Sequence, residues 1–285
     1  MILGAVVEQS PSDNNSVLTD NQRNVGWLHV HGLGLEPSDN SILYIATHGA
    51  FYQSISGAPP VKIDKSGADF MAFNAPPVSD APMYASGHPA SGGNTGLIKS
   101  NDGGRTWETV STVSQPPVDF HAMSVSKSDP NIILGFDSGG RGLFKTTDYG
   151  ETWKTLEYPE RISSLAISPN DSELIFAGTV KGMFSSSDGG NNWNKVFYNG
   201  QRVLSLAFDD DTLYAFSPET GLERSFDFGQ NWEKVAEIPL TVTSMVIDPQ
   251  NKDIYLGGIH KNGFHEVYKL SSDLQTSYLI GTNRK

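Results

Sequence analysis

The sequence predicts an all-β protein, a β-propeller of six blades, and three observations carry that expectation. An octamer of the form S/T-x-D-x-G-x-x-W recurs four times: "SNDGGRTW" ends at Trp107, "TTDYGETW" at Trp153, "SSDGGNNW" at Trp193 and "SFDFGQNW" at Trp232. Consecutive copies lie about 40 to 46 residues apart, the period of a four-stranded propeller blade. Glycine is frequent (29 of 285 residues) and charged residues make up only 18 %, which argues against long helices.

Each octamer reads as a tight turn. Asp102, Asp148, Asp188 and Asp227 should bind the turn's own backbone, glycine should supply a positive φ, and Trp107, Trp153, Trp193 and Trp232 should open the next strand and pack inward. Aligning outward from the octamers gives six units. Their first strands begin near Leu28, Phe70, Phe120, Ile162, Val203 and Val242. Their second strands are "ILYIAT", "PMYAS", "IILGF", "ELIFAG", "TLYAF" and "DIYLGG", after polar turns such as "SKSDPN" and "DPQNKD". Units one and six lack a readable octamer, as terminal repeats often do. The last unit is completed by "GFHEVYKL" and "TSYLIG". Seven blades would require strands from residues 5–26. The expected organisation is a tail over 1–26 and one propeller domain over 27–285. The opening "MILGAVVEQSPSDNNS" fits either a frayed end or the remnant of a processed signal or anchor, with no basic stretch ahead of its apolar run.

Composition narrows the partners. A net charge of −12 repels nucleic acid and anionic membranes, so no nucleic-acid partner is expected. No segment reaches the roughly 18 apolar residues that a membrane span needs, so the domain itself should not insert. The chain has no cysteine, which rules out disulfides and thiolate metal sites and fits an oxidising, extracytoplasmic compartment.

The histidines are the chemical signal. Superposing first strands aligns "LHVHGLGL", "ADFMAFNA" and "VDFHAMSV". His29 then corresponds to Asp69 and Asp119, and His31 to Met71 and His121. Superposing second-strand ends places His48, His88 and Asp137 together. First and second strands of a blade run antiparallel, so the start of one and the end of the other share a face. Five histidines, His29, His31, His48, His88 and His121, should therefore converge at one mouth of the central channel as metal ligands. His29 and His31 would lie roughly 7 Å apart along a straight strand, and a bulge ahead of Gly32 and Gly34 would bring them closer. Asp69, Met71, Asp119, Asp137 and His260 are expected as outer partners or alternative ligands, carboxylates fixing the imidazole tautomers. His265, in the last unit with His260, looks incidental. Imidazoles without thiolates, with Met71 nearby, favour copper, with zinc next. The expected activity is a copper-dependent oxidoreductase acting on a small-molecule substrate or with a redox partner protein.

The octamers resemble the Asp box of BNR-repeat, sialidase-like β-propellers, over roughly residues 27 to 283. The chain is also similar to prokaryotic secreted "glycosyl hydrolase-like" BNR-repeat proteins that share its H-x-H-G-L opening. The Asp box is a structural hairpin and implies a fold rather than an activity. A sialidase would bring an arginine triad, but Arg141, Arg161, Arg202 and Arg224 hold no equivalent places in successive units. A glycoside hydrolase or glycan-binding propeller is the alternative, with Asp69, Asp119 or Asp137 as its carboxylates. A third is a non-catalytic assembly scaffold like the photosystem II assembly factors, although the arginine-rich patch of those factors has no counterpart here.

Overall fold

The computed structural model describes residues 20–284, apart from 77, 79–80 and 197–199. The described chain forms six four-stranded antiparallel sheets, each built from strands consecutive in sequence. This is a six-bladed β-propeller. The innermost strands are Val30–Glu36, Asp69–Asn74, Phe120–Val125, Ile162–Ile167, Ser205–Asp209 and Leu240–Ile247. Residues 1–19, which would supply most of any seventh blade, lie outside the described residues. The only helix among the described residues is one 3-10 turn, Asp20–Arg23, so no described helix is long and apolar enough to cross a membrane.

The blades form because their strands carry apolar side chains on both faces. Each sheet is sandwiched between two neighbours, and the core divides into clusters that lie between blades. Phe51 of blade one packs on Phe70 and Phe73 of blade two, with ring centroids 5.3 and 4.9 Å away. Buried hydroxyls tie successive blades together. Ser86 accepts from the Phe120 amide, Ser124 from Ile167 and Ser164 from Leu206.

The four octamers join the third strand of a blade to its fourth. In the turn of blade three, Asp148 Oδ1 accepts from the Thr146 hydroxyl at 2.6 Å and the Thr152 amide at 2.9 Å, and Oδ2 accepts from the Thr152 hydroxyl. Asp102, Asp188 and Asp227 repeat the arrangement. The glycine is required by close approach as well as by φ: a Cβ on Gly104 would fall 2.2 Å from Phe51 of the preceding blade. Each Trp indole donates to the carbonyl of its octamer glycine, and Trp153 also packs on Phe120 at 5.5 Å.

Ring closure uses residues just ahead of blade one. The Val25 amide donates to Thr282 O, and the buried Trp27 indole donates to His265 O at 2.9 Å. The Thr243 hydroxyl of blade six donates to Val30 O of blade one.

The channel has two mouths. The turns linking first to second strands surround one, where Leu35, Ile167, Phe208 and Ile247 line a cavity of about 250 Å³. The starts of the first strands and the ends of the second strands surround the other. Between them His31, His121, Ser163, Ser205 and Thr243 line a narrower section of about 110 Å³.

Candidate metal centre

Strand irregularity aims the central histidines. In blade one the pairing passes from Val30↔Thr47 to Gly32↔Ala46, leaving His31 as the extra residue of a bulge. In blade three it passes from Phe120↔Asp137 to Ala122↔Phe136, leaving His121 in the same place. Ser163 and Thr243 occupy this position in blades four and six. The bulge also brings the His29 and His31 rings to 5.9 Å, nearly parallel.

One group of ligand-type residues spans blades two and three. His88, Asp119 and His121 hold ligand atoms that all lie within 4.8 Å of one another, the one such cluster of three among the described residues. Asp119 Oδ2 is 2.9 Å from His121 Nε2 and 3.6 Å from His88 Nε2. Two ligand atoms of a tetrahedral transition metal, each about 2.0–2.1 Å from it, lie roughly 3.4 Å apart. The observed edges bracket that spacing. His88 Nδ1 is 2.9 Å from the Gly93 carbonyl, which requires a proton on Nδ1 and leaves Nε2 as a free lone pair.

A second group spans blades one and six. His31 lies 4.6 Å from His48 between ring centroids, His29 lies 5.3 Å from His48, and His265 lies 4.3 Å from His29. His31 and His121, at 6.5 Å, connect the two groups. Burial pushes the His31 pKa down to about 3, and repulsion from His48, His121, His29 and His265 adds to the shift. His265 is lowered for the same reasons, burial first and then His29 and His48. Both rings are therefore neutral at physiological pH with lone pairs able to coordinate.

The carboxylates follow a rule that repeats from blade to blade. Asp69 of blade two stands 3.6 Å from His48 Nδ1 of blade one and accepts from the Gly49 amide at 2.7 Å. Asp119 of blade three stands at the same 3.6 Å from His88 of blade two. Burial alone would raise the Asp119 carboxyl. Hydrogen bonds from His121 and Ser138 and the nearby imidazoles outweigh it and hold the group below the usual carboxylate range.

Three expected participants are placed elsewhere. Asp137 is the partner of Phe120, so it corresponds to Thr47, and Ser138, whose amide donates to Asp119 O, corresponds to His48. A one-residue slip on a strand sends the side chain to the other face. The buried Asp137 carboxylate accepts from Arg141 Nη2 at 2.7 Å, from Arg141 Nε, and from the Asp119 amide, which leaves it no part as a ligand. Ser138 instead turns its hydroxyl onto Asp119 Oδ2 at 2.7 Å. Met71 is buried away from the channel. The irregularity of blade two falls after it, and Ala72, at φ +43°, forms the channel wall there. His260 caps its own turn by accepting from the Asn262 amide on Nδ1. The histidine that blade six contributes is His265, at the start of its third strand.

No protein-family profile and no curated protein matches the chain. Solved structures do. The GH74 xyloglucanase from Xanthomonas campestris superposes with a TM-score of 0.63 at 16 % identity, over 89 % of this chain and 45 % of that one. The GH74 enzyme from Niastella koreensis gives 0.66 at 16 % over the same shares. Virginiamycin B lyase from Staphylococcus aureus gives 0.59 at 13 %, covering 92 % of this chain and 86 % of that one. The chain spans less than half the length of the two GH74 enzymes. At these identities the likeness establishes the propeller fold alone.

Proposed function

We propose that this chain is an extracytoplasmic metal-binding propeller whose channel mouth holds a transition-metal ion on His88, Asp119 and His121, with His31 facing it. One observation carries the reading. Three buried side-chain polar atoms among the described residues lack a hydrogen-bond partner, and two of them, His31 Nε2 and Asp119 Oδ1, lie in this cluster. Leaving a buried polar atom unpaired costs about 1–3 kcal/mol, so two at one place call for a ligand. Neutral imidazoles with one carboxylate and no thiolate suit copper first and zinc second. Copper would supply one-electron chemistry. The residues around it fix the His88 tautomer through Gly93 and orient Asp119 through Ser138 and Asp137. We assign the activity to oxidation of a small molecule, with a redox partner protein as electron acceptor.

A glycoside hydrolase is the second reading, favoured by the GH74 enzymes among the similar propellers. It needs a carboxyl that stays protonated to act as acid. Asp119 is held in the opposite direction.

Elemental analysis of full-length protein purified without chelators separates the two, combined with turnover assays. The metal reading expects bound copper or zinc and oxidation of a small reductant that a chelator stops. Chelator-resistant release of sugar from a glycan, abolished by Asp119→Asn and retained in His121→Ala, would overturn it.

A further inference from the structure

The channel mouth repeats its ligand arrangement with an offset of one blade. On one side, His88 ends the second strand of blade two, Asp119 begins the first strand of blade three, and His121 stands on the bulge two residues later. On the other side, His48 follows the second strand of blade one, and Asp69 begins the first strand of blade two at the same carboxylate-to-imidazole distance, 3.6 Å in both cases. Blade two has no bulge histidine, because Ala72 lines the channel there. Its place is taken from within blade one, where His31 and His29 both face His48. Ring centres of two imidazoles on one tetrahedral ion lie about 5 Å apart, given nitrogen-to-metal distances of roughly 2 Å. The separations of His31 and His29 from His48 are 4.6 and 5.3 Å. The buried His31 Nε2 has no partner in this group either. His265, packed at 4.3 Å behind His29, limits where that ring can turn.

The geometry points to a second metal ion, bound by His29, His31 and His48, with Asp69 orienting His48, beside the ion on His88, Asp119 and His121. The inference rests on the proposed metal-binding function and adds a distinct site to it. The residues that build it are neutral donors of the same class, so the second ion should be of the same kind as the first, copper or zinc. Between the two groups stand only His31 and His121, at 6.5 Å, so both ions would face one solvent-open mouth. That is the layout of a two-metal centre able to hold one small ligand between its ions.

Stoichiometry tests it. The full chain is loaded with Zn(II), and separately with Cu(II), freed of loose metal by gel filtration, and its metal counted by mass spectrometry. Wild type should retain about two ions per chain, as a two-metal centre requires. His48→Gln and His88→Gln should each retain about one, and the double variant almost none. Thermal melts of the metal-free variants confirm that each is folded. Cu(II)-loaded wild type should also show an electron paramagnetic resonance spectrum broadened by the neighbouring ion, sharpening in either single variant. Retention of one ion in wild type, unchanged in His48→Gln and lost in His88→Gln, overturns the second site and leaves the proposed function standing. No retained metal in wild type overturns both.

Discussion

The octamer turns and the histidine mouth, at opposite faces of the ring, are both rich in polar side chains, and they use them in opposite ways. At an octamer turn the carboxylate is saturated. Asp148 accepts from Thr146 and Thr152 and is held down to about 2 by those hydrogen bonds, although it is fully exposed. At the histidine mouth the polar groups are half-buried, several are neutral, and two atoms are left without partners. A saturated polar motif is architecture, because all of its bonding capacity is spent on its own chain. An unsaturated one retains capacity for something else. The repeated carboxylate–imidazole pairs across blades one, two and three show that the unsaturated mouth was built on the same blade register as the scaffold.

Substitutions should separate the two faces. The largest effect is expected on the scaffold side. Trp153→Ala should lower unfolding free energy by about 3 to 5 kcal/mol, as for removal of a large packed aromatic, because it empties a contact with Phe120 and two indole hydrogen bonds. Denaturant melts measure this, and metal affinity of the folded fraction should be unchanged. If the melt hardly moves, the indole is not packed as described.

An intermediate effect belongs to the mouth. The folded pKa of His31 lies near 3, below its ordinary 6.5, so the unfolded chain takes up a proton in that interval that the folded chain does not. Stability of the metal-free protein should therefore fall as pH drops from about 6.5 toward 3, by at most about 1.4 kcal/mol per pH unit from this group. His31→Asn should flatten that slope. An equal slope in the variant would show that His31 is protonated in the folded state. The smallest effect should come from His260→Ala. That ring touches neither group of ligands, so metal binding should be unchanged and stability altered by no more than about 0.5 kcal/mol.

The same contrast explains what the sequence revealed. Octamers announce themselves because a turn's chemistry is local: Ser or Thr, Asp, Gly and Trp all act within eight residues, and four copies set the blade period. His29, His31, His48, His88 and His121 could be placed together because strand order and direction follow from that period. Asp137 was misplaced by one residue because the second strand of blade three ends in a longer loop, where Asp137 folds back on Arg141. Met71 was misplaced because blade two is irregular at Ala72 rather than where blades one and three bulge. His265 gave no signal at all. It reaches His29 only through ring closure, which the Trp27 indole secures on the His265 carbonyl.

The central claim is that the unsaturated mouth is a metal centre with Asp119 at its heart. Titration calorimetry of Cu(II) and Zn(II) into chelator-stripped protein, wild type against Asp119→Asn, tests it most directly. The account predicts binding at micromolar concentration or tighter in wild type, and a loss of well over tenfold in the variant, about 1.4 kcal/mol or more, with the fold intact. Equal affinity in the two proteins, or no uptake of either metal by wild type, would contradict it.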